Sequence, residues 1–178
     1  DMIQKKLGTA LEWIKPEEEC EIAVELLKNP GIRYLFFGSC FITSNLMGDI
    51  GKLFPEIDLR SMSFVSTNLT SDSTKMLASY LPISNLRSIE LNGGCKMSVS
   101  AFEKLLEGLP GSKIENFLLS CSAFDFPFEF GKESILSSLL YKLSQKKKIR
   151  RLALFHFDIT INLMETIVHF LATQPFFF

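Results

Sequence analysis

The residue types that most often carry out chemistry are few in this chain and form no catalytic pattern. Its two histidines are His156 and His169, and no serine lies in the G-x-S-x-G elbow that a histidine base would serve. His156 and Asp158 alternate toward the same side, but the sequence supplies no nucleophile for them. A phosphate-binding glycine loop is also absent. We therefore expect no enzyme activity and no cofactor.

The cysteines do not form a pattern typical of a metal site. Cys20, Cys40, Cys95 and Cys121 include no C-x-x-C pair, and their spacing fits neither a zinc site nor a disulfide framework. The opening residues, D-M-I-Q-K-K-L, lack the apolar segment of a signal peptide. These observations predict reduced, buried thiols in a cytoplasmic protein.

Length and composition predict one domain. The chain has 178 residues, is 47% hydrophobic and carries a formal net charge of −1. It is long enough for a sizeable core, and its charge argues against both disorder and general polyanion binding. It contains no run of about 18 apolar residues, so we expect no membrane span.

An internal repeat organises the chain. Its apolar positions have offsets 0, 3, 5, 8 and 10, which fit a short strand followed by a tight turn. The five copies begin at Ile32, Phe54, Leu86, Ile114 and Ile149, so the periods are 22, 32, 28 and 35 residues. In the third copy, Gly93-Gly94 delay the last two positions by one residue. We expect Leu35, Ile57, Ile89, Phe117 and Leu152 to lie side by side as neighbouring rungs.

A helical pattern follows each strand. The predicted helices span 44–53, 71–81, 98–109, 132–146 and 160–173, with Ser71, Ser98 and Thr160 as N-caps. Alternating strands and helices predict parallel strands joined by right-handed crossovers. The short period favours stacking of the units into a curved α/β solenoid, with strands on the concave face and helices on the convex face.

Residues 1–30 do not contain the repeat. Two amphipathic helices are predicted there, over 2–14 and from Pro16 to Leu27. They would form either a helical N-terminal cap or the tail of a preceding domain. Residues 31–178 are predicted to be the repeat domain. The last residues, Q-P-F-F-F, would begin another strand, so we expect the repeat domain to be truncated at its C-terminus.

The template L-x-x-L-x-L-x-x-(N/C)-x-L resembles that of the leucine-rich repeat family, and the helix-containing period near 28 resembles its ribonuclease-inhibitor-like class. The likeness covers about Ile32 to Thr173, although phenylalanines replace leucines in two copies and Met62, Ser122 and Phe157 occupy the Asn/Cys position. Such irregularity favours a divergent domain. The resemblance implies a recognition module of a larger cytosolic protein. Two contexts remain open: the sensing or autoinhibitory domain of a NOD-like innate immune receptor, and a bacterial effector.

The concave strand face is the predicted site of partner binding, because exposed aromatic residues and arginine commonly anchor protein interfaces. Counting from the template, it has an aromatic end, an acidic middle and a basic-aromatic end. Its residues are Tyr34, Phe36, Glu56, Asp58, Arg60, Glu90, Asn92, Asn116, Leu118, Arg151 and Phe155. The expected partner is a protein or another domain of the same chain. The alternative is a purely structural solenoid that packs against its own neighbouring domains.

Two further segments could bind partners. Lys146-Lys147-Lys148 with Arg150-Arg151 could bind nucleic acid, but a solvated helix end is the favoured interpretation. The aromatic loop D-F-P-F-E-F, residues 125–130, could contact a partner, although packing beneath the following helix is favoured.

Overall fold

The structure is a computed structural model that describes residues 11–12, 24–29, 31–120, 132–146, 148–157 and 160–173. The strands are β1 Leu11–Glu12, β2 Tyr34–Gly38, β3 Phe41–Ile42, β4 Ser61–Val65, β5 Asn68–Leu69, β6 Ser88–Leu91, β7 Lys96–Met97, β8 Asn116–Ser120 and β9 Arg151–Phe155. The helices are α1 Ser44–Leu53, α2 Ser71–Tyr80, α3 Val99–Glu107, α4 Lys132–Ser144 and α5 Ile161–Thr173. A single 3₁₀ turn, Leu81–Ile83, follows α2.

The fold is α/β with parallel strands. Six strands form one sheet in the order β1-β2-β4-β6-β8-β9, and β3-β5-β7 form a smaller parallel sheet. Each long strand therefore lies beside the next long strand in the chain. The helices follow the same order, because each of α1 to α4 contacts the helix that follows it.

The register places Leu35, Met62, Ile89, Phe117 and Leu152 side by side, in one row across the five long strands. Four of these residues were predicted correctly, but the prediction of Ile57 was wrong. Ile57 lies in the connection between α1 and β4, five residues before the residue that occupies the rung.

The error arises because the template fits this segment twice. Phe54, Ile57, Leu59, Met62 and Phe64 have the same offsets as Leu59, Met62, Phe64, Thr67 and Leu69. The structure selects the second set, since β4 begins at Ser61. The units then begin at Ile32, Leu59, Leu86, Ile114 and Ile149, with periods of 27, 27, 28 and 35 residues. The first three periods are therefore much more regular than predicted.

Phe54, Ile57 and Leu59 are apolar for a different reason. Phe54 and Leu59 are 1% exposed and Ile57 is 8% exposed, because they fill the core beneath the connection from helix to strand. The same connection recurs with a proline in its second position, as L-P-I-S-N-L at 81–86 and L-P-G-S-K-I at 109–114. The spacing of the buried apolar residues in this connection therefore matches the template that was assigned to a strand.

Each helix in the first three units begins at a hydroxyl cap. The side chains of Thr43, Thr70 and Ser98 accept hydrogen bonds from backbone N–H groups three residues later. The prediction of Ser98 is confirmed, whereas Ser71 is wrong by one residue, because Thr70 forms a reciprocal capping box with Ser73. Thr160 also accepts from the Leu163 N–H, at 3.2 Å.

The turns after β4 and β6 are held by a polar side chain at the Asn/Cys position of the template, which the Gly93-Gly94 delay moves from the ninth to the tenth residue in the third unit. The Thr67 hydroxyl lies 3.0 Å from the carbonyl oxygens of both Phe37 and Val65, and the Cys95 thiol donates to the Phe64 carbonyl at 3.1 Å. The assignment of Met62 to this position was therefore wrong. Gly94 has φ +78°, and the predicted delay at Gly93-Gly94 is confirmed.

At the N-terminal side, Leu11–Glu12 is a strand that pairs with Phe37 and Gly38, so the predicted helix over 2–14 is wrong at these two residues. Residues 24–27 are helical, as predicted. The rest of both leading helices, the aromatic loop 125–130 and the Q-P-F-F-F segment lie outside the described residues. The predicted domain boundary at residue 30 stays a prediction.

One core runs through the described units, between the large sheet and the helices. The Phe37 and Phe64 rings stack within it, 5.3 Å apart. None of the helices in the described residues is long and apolar enough to cross a membrane.

Candidate partner-binding face and charged edge

The strands of the large sheet alternate between the core and an open face. In β2, Leu35 and Phe37 are buried in the core, while Tyr34 and Phe36 point to the opposite side. Register then assigns the open face as three rows, of which the last contains Gly38, Val65, Ser120 and Phe155. The first row is Tyr34, Ser61, Ser88, Asn116 and Arg151, and the second is Phe36, Ser63, Glu90, Leu118 and Ala153.

Seven of the eleven predicted binding residues lie on this open face. They are Tyr34, Phe36, Glu90, Asn116, Leu118, Arg151 and Phe155. Asn92 comes directly after β6, is half-buried, and donates its backbone N–H to the Phe64 carbonyl at 2.9 Å.

The other three predicted residues, Glu56, Asp58 and Arg60, do not lie on a strand. They belong to the connection that precedes β4, because the second unit starts five residues later than predicted. Ser61 and Ser63 occupy the corresponding places in the first two rows. The middle of the open face is therefore small and hydroxyl-bearing, with Glu90 as its acidic residue.

Aromatic side chains stand at the two ends of the open face. Tyr34 is 41% exposed at one end, and Phe155 is 44% exposed at the other. The Phe36 ring lies over the Cα of Gly38, so a side chain at that glycine would displace it. Between the ends, Ser63 is only 1% exposed, because its neighbours in the row, Phe36 and Glu90, have larger side chains. The surface is thus a shallow polar strip between aromatic ends.

A second feature, the charged edge, lies where the strands begin. It consists of Arg33, Arg60, Arg87, Glu115 and Arg150, each one residue before a strand of the large sheet. Each of the last four donates its backbone N–H to the carbonyl of the residue before it in this series, at 2.7–2.9 Å. The backbone therefore holds these side chains on consecutive rungs, about 4.8 Å apart.

Two carboxylates partly neutralise the charged edge. Asp58 pairs with Arg60 and, at 3.4 Å, with Arg33. The hydrogen bond from Arg60 and the nearby positive charges hold the pKa of Asp58 below its ordinary value, against an opposing effect of desolvation. Glu115, only 13% exposed, lies 3.1 Å from Arg87, 2.9 Å from Arg150 and 3.5 Å from Lys148. Three cations thus meet one carboxylate, and positive charge remains in excess.

Lys146 contradicts the prediction that the basic run is a solvated helix end. The residue is 7% exposed, and its Nζ donates to the Ser112 carbonyl at 2.7 Å, the Leu109 carbonyl at 3.0 Å and the Ser112 Oγ at 3.1 Å. Burial lowers the pKa of this ammonium, and the Glu115 charge partly opposes the change. Lys146 therefore ties two units together.

A cleft of about 400 Å³ opens beside the charged edge. Its lining includes four cationic side chains, those of Arg87, Lys113, Lys146 and Lys148, together with the Glu115 carboxylate. Lys113 is held by the side-chain oxygen of Asn85 at 2.9 Å. Such a cleft could accommodate an anionic group.

One contact between chemically active residues was not predicted. The Ser120 Oγ lies 3.1 Å from His156 Nδ1, joining the ends of β8 and β9. Ser120 is 2% exposed, so in this conformation its hydroxyl is not presented to a substrate. His156 has φ 59°, in the left-handed region that few residues other than glycine adopt. We interpret the pair as a structural link.

Of the two described cysteines, Cys40 is half-buried and Cys95 is buried. Burial raises the pKa of the Cys95 thiol, which makes it a poor nucleophile. Within the part of the chain that the structure describes, no three His, Cys, Asp or Glu side chains are grouped to hold a metal ion.

Comparisons with known proteins assign no family. The chain matches no protein-family model and no curated protein. Function is therefore inferred from the geometry of the open face and the charged edge.

Proposed function

We propose that the described units are leucine-rich repeats of the ribonuclease-inhibitor-like type, stacked as a solenoid, and that the open face binds a protein partner without catalysis. The parallel order of the strands, the matching order of the helices and the 27- to 28-residue periods support the fold assignment. The buried thiol of Cys95, which donates to the Phe64 carbonyl, suits a cytoplasmic location. A sensing or autoinhibitory domain of a NOD-like receptor and a bacterial effector are the contexts we propose.

A single observation carries the binding proposal. Tyr34 and Phe155 are more than 40% exposed on strand residues, at opposite ends of a face whose centre is small and polar. When a partner covers an exposed aromatic side chain, apolar surface is removed from water, which stabilises the complex. The side chain has few rotatable bonds, so little conformational entropy is lost on binding. Arg151, at the start of the strand that ends at Phe155, adds a cation that could pair with a carboxylate of the partner.

The binding proposal predicts that the aromatic ends are needed for partner capture. We expect the Tyr34→Ala/Phe155→Ala double variant to bind partners at least about tenfold more weakly, since hot-spot aromatics typically contribute 1 kcal/mol or more each. Pull-down followed by titration of the captured protein measures this. Tyr141→Ala, which removes a 63% exposed aromatic from α4, is the matched control and should bind normally.

The alternative of a purely structural solenoid gives a different result. If the folded double variant retains every partner of the wild-type chain at unchanged affinity, the open face is not the binding surface. Circular dichroism melting of both variants would confirm that any loss is not due to unfolding.

The charged edge favours a second candidate function, the binding of single-stranded nucleic acid. Regularly spaced cations with an adjacent cationic cleft suit a phosphate backbone. We expect Arg87→Ala/Lys148→Ala/Arg150→Ala to abolish binding of a single-stranded DNA oligonucleotide in fluorescence anisotropy at low salt. Lys52→Ala/Lys104→Ala, which removes two cations from α1 and α3, is the control. Absence of oligonucleotide binding by the wild-type chain at low salt would eliminate this candidate.

A further inference from the structure

An asparagine followed by a glycine occurs once in the sequence, at Asn92-Gly93 in the turn after β6. Asparagine is thermolabile because the backbone nitrogen of the next residue can attack its side-chain amide, and a glycine there has no β-carbon to shield that nitrogen. The other six asparagines are followed by leucine, phenylalanine or proline. The sequence therefore makes Asn92 the asparagine most open to this attack.

The structure leaves both reacting groups available. Among the described residues, the Gly93 N–H has no hydrogen-bond acceptor and the Asn92 side chain makes no hydrogen bond. Asn92 and Gly93 are half-buried and Gly94 is exposed, so water reaches the turn. A backbone N–H with no acceptor can lose its proton without the loss of a hydrogen bond.

The other asparagines of the described residues are protected. The N–H groups that follow Asn45 and Asn162 each donate to the hydroxyl that caps their helix, at 3.1 and 3.2 Å. The N–H after Asn85 lies 3.3 Å from a serine hydroxyl. Asn68 and Asn116 are each followed by a strand residue with a large side chain.

We propose that Asn92-Gly93 is a self-modification site, at which the folded chain converts asparagine into aspartate and isoaspartate. The Gly93 nitrogen gives up its proton and bonds to Asn92 Cγ, while the bond from Cγ to Nδ2 breaks and the side-chain nitrogen leaves with a proton as ammonia. Water then opens the resulting cyclic imide. Attack at Cγ breaks the new bond and leaves aspartate, whereas attack at the backbone carbonyl breaks the original peptide bond and leaves isoaspartate.

The modification places a new carboxylate on the open face. Asn92 continues β6 by one residue, which aligns it with Val65 and Ser120 in the third row. Glu90 lies two residues earlier on the same side of the strand, about 7 Å away between Cα atoms. The effect of this charge on partner binding rests on the proposed function of the open face, whereas the modification itself does not.

Isoaspartate would also disturb the turn, because its backbone is one carbon longer. The Gly93 carbonyl accepts a hydrogen bond from the Ser66 N–H at 3.1 Å. A β-carbon added at Gly94 would lie 2.7 Å from the Ser66 Oγ, so the two turns are already in close contact. The longer backbone must move Gly93 or Gly94 away from Ser66. We therefore expect the isoaspartate form to be less stable than the aspartate form.

Incubation of the 178-residue chain at neutral pH, followed by peptide mass spectrometry, tests the proposal. We expect residue 92 to deamidate at least about tenfold faster than residues 45, 68, 85, 116 and 162, and Gly93→Ala to slow it at least about tenfold. Gly93 does not adopt the left-handed φ of Gly94, so alanine suits its backbone. An Asn92 that deamidates no faster than Asn45, or an unchanged rate in Gly93→Ala, overturns the proposal.

A parallel incubation in urea separates reaction in the folded chain from reaction in the unfolded chain. The folded rate at residue 92 should lie within about tenfold of the rate in urea, since neither reacting group is hydrogen-bonded to a described residue. A folded rate that is lower than this would show that the fold protects Asn92, and the site would be rejected.

Urea unfolding of the separated products tests the effect on the turn. Asn92→Asp should unfold at the wild-type midpoint, because the Asn92 side chain has no hydrogen bond to a described residue that could be lost. The isoaspartate fraction, purified by chromatography from the incubated chain, should unfold at lower urea concentration. Equal midpoints for the two products would contradict the close contact between the turns.

Discussion

At the scale of single residues, Lys146 shows how a charge can serve structure. Its ammonium has three hydrogens, and three oxygen atoms of the preceding unit lie within 3.1 Å. A basic run in the sequence gave no sign of this, because Lys146 and Lys148 have the same residue type and opposite environments. The two lysines differ because the chain after α4 places Lys146 against Leu109 and Ser112, whereas Lys148 lies at the surface.

We predict that Lys146→Met lowers the free energy of unfolding by about 1 kcal/mol at neutral pH, because the Ser112 carbonyl loses its donor. Lys148→Met, which removes an exposed ammonium, is the control and should change stability by less than about 0.5 kcal/mol. Urea unfolding of both variants measures the difference. Equal stability of the two variants would contradict the structural role of Lys146.

The pH dependence of the same group has a defined sign. Since burial lowers the pKa of Lys146 below 10.5 in the folded chain, the unfolded chain retains this proton to higher pH. We therefore predict that wild-type stability, relative to Lys146→Met, rises as the pH increases from the folded pKa toward 10.5. A stability difference that stays constant from pH 7 to 10.5 would show that burial does not perturb this group.

The residues of the open face were predicted correctly only in those units for which the start of the strand was also predicted correctly. Tyr34, Phe36, Arg151 and Phe155 were placed on the open face from strand periodicity alone. Asp58 was misplaced because alternation is equally consistent with a connection whose inward residues are apolar. Local spacing could not decide between these two interpretations, whereas the near-constant period of 27 residues could have.

At the scale of elements, the helices were more predictable than the strands. The bounds of α1 were predicted to the residue, because a cap, an apolar stripe and a closing turn all agree there. A five-residue strand has few apolar positions, so a neighbouring connection can satisfy the same template. The residue contacts between neighbouring helices were not predictable, since they depend on which side chain packs against which glycine.

Gly108 provides a test of helix packing. We predict that Gly108→Ala lowers the free energy of unfolding by about 1–3 kcal/mol, because the added Cβ would collide with the backbone of Ala78. The backbone at Gly108 is helical, so alanine itself suits the conformation. Gly111→Ala, where the Cβ would meet only ordinary contacts with Pro82, is the control. Thermal unfolding of both variants measures the effect, and a stable Gly108→Ala chain would contradict this packing.

At the scale of the whole molecule, burial is uneven across the units. Met62, Phe64, Ile89 and Leu91, in β4 and β6, are completely buried, whereas β9 is partly exposed along its whole length. A unit that packs against another unit on each side is stabilised by both. Among the described residues, the last unit packs against only one other unit, and we expect it to open most easily.

We therefore predict a gradient in amide hydrogen exchange. In a dilute sample, β4 and β6 should exchange most slowly and approach the global unfolding rate, while β9 and α5 should exchange at least about tenfold faster. Mass spectrometry of peptides from these elements measures the rates. Equal protection of β6 and β9 would indicate that the molecule opens only as one cooperative body.

The close contacts of Gly51 with Tyr80 and of Ala78 with Gly108 restrict how the units of this chain could be duplicated or reordered. A large residue on one helix requires a small residue on its neighbour, so each unit is matched to the one before it. Swapping the second and third units would bring mismatched surfaces together, even though every unit would keep its own local pattern. Duplication or reordering of units would therefore succeed only when paired substitutions accompany it on both sides of the new junction.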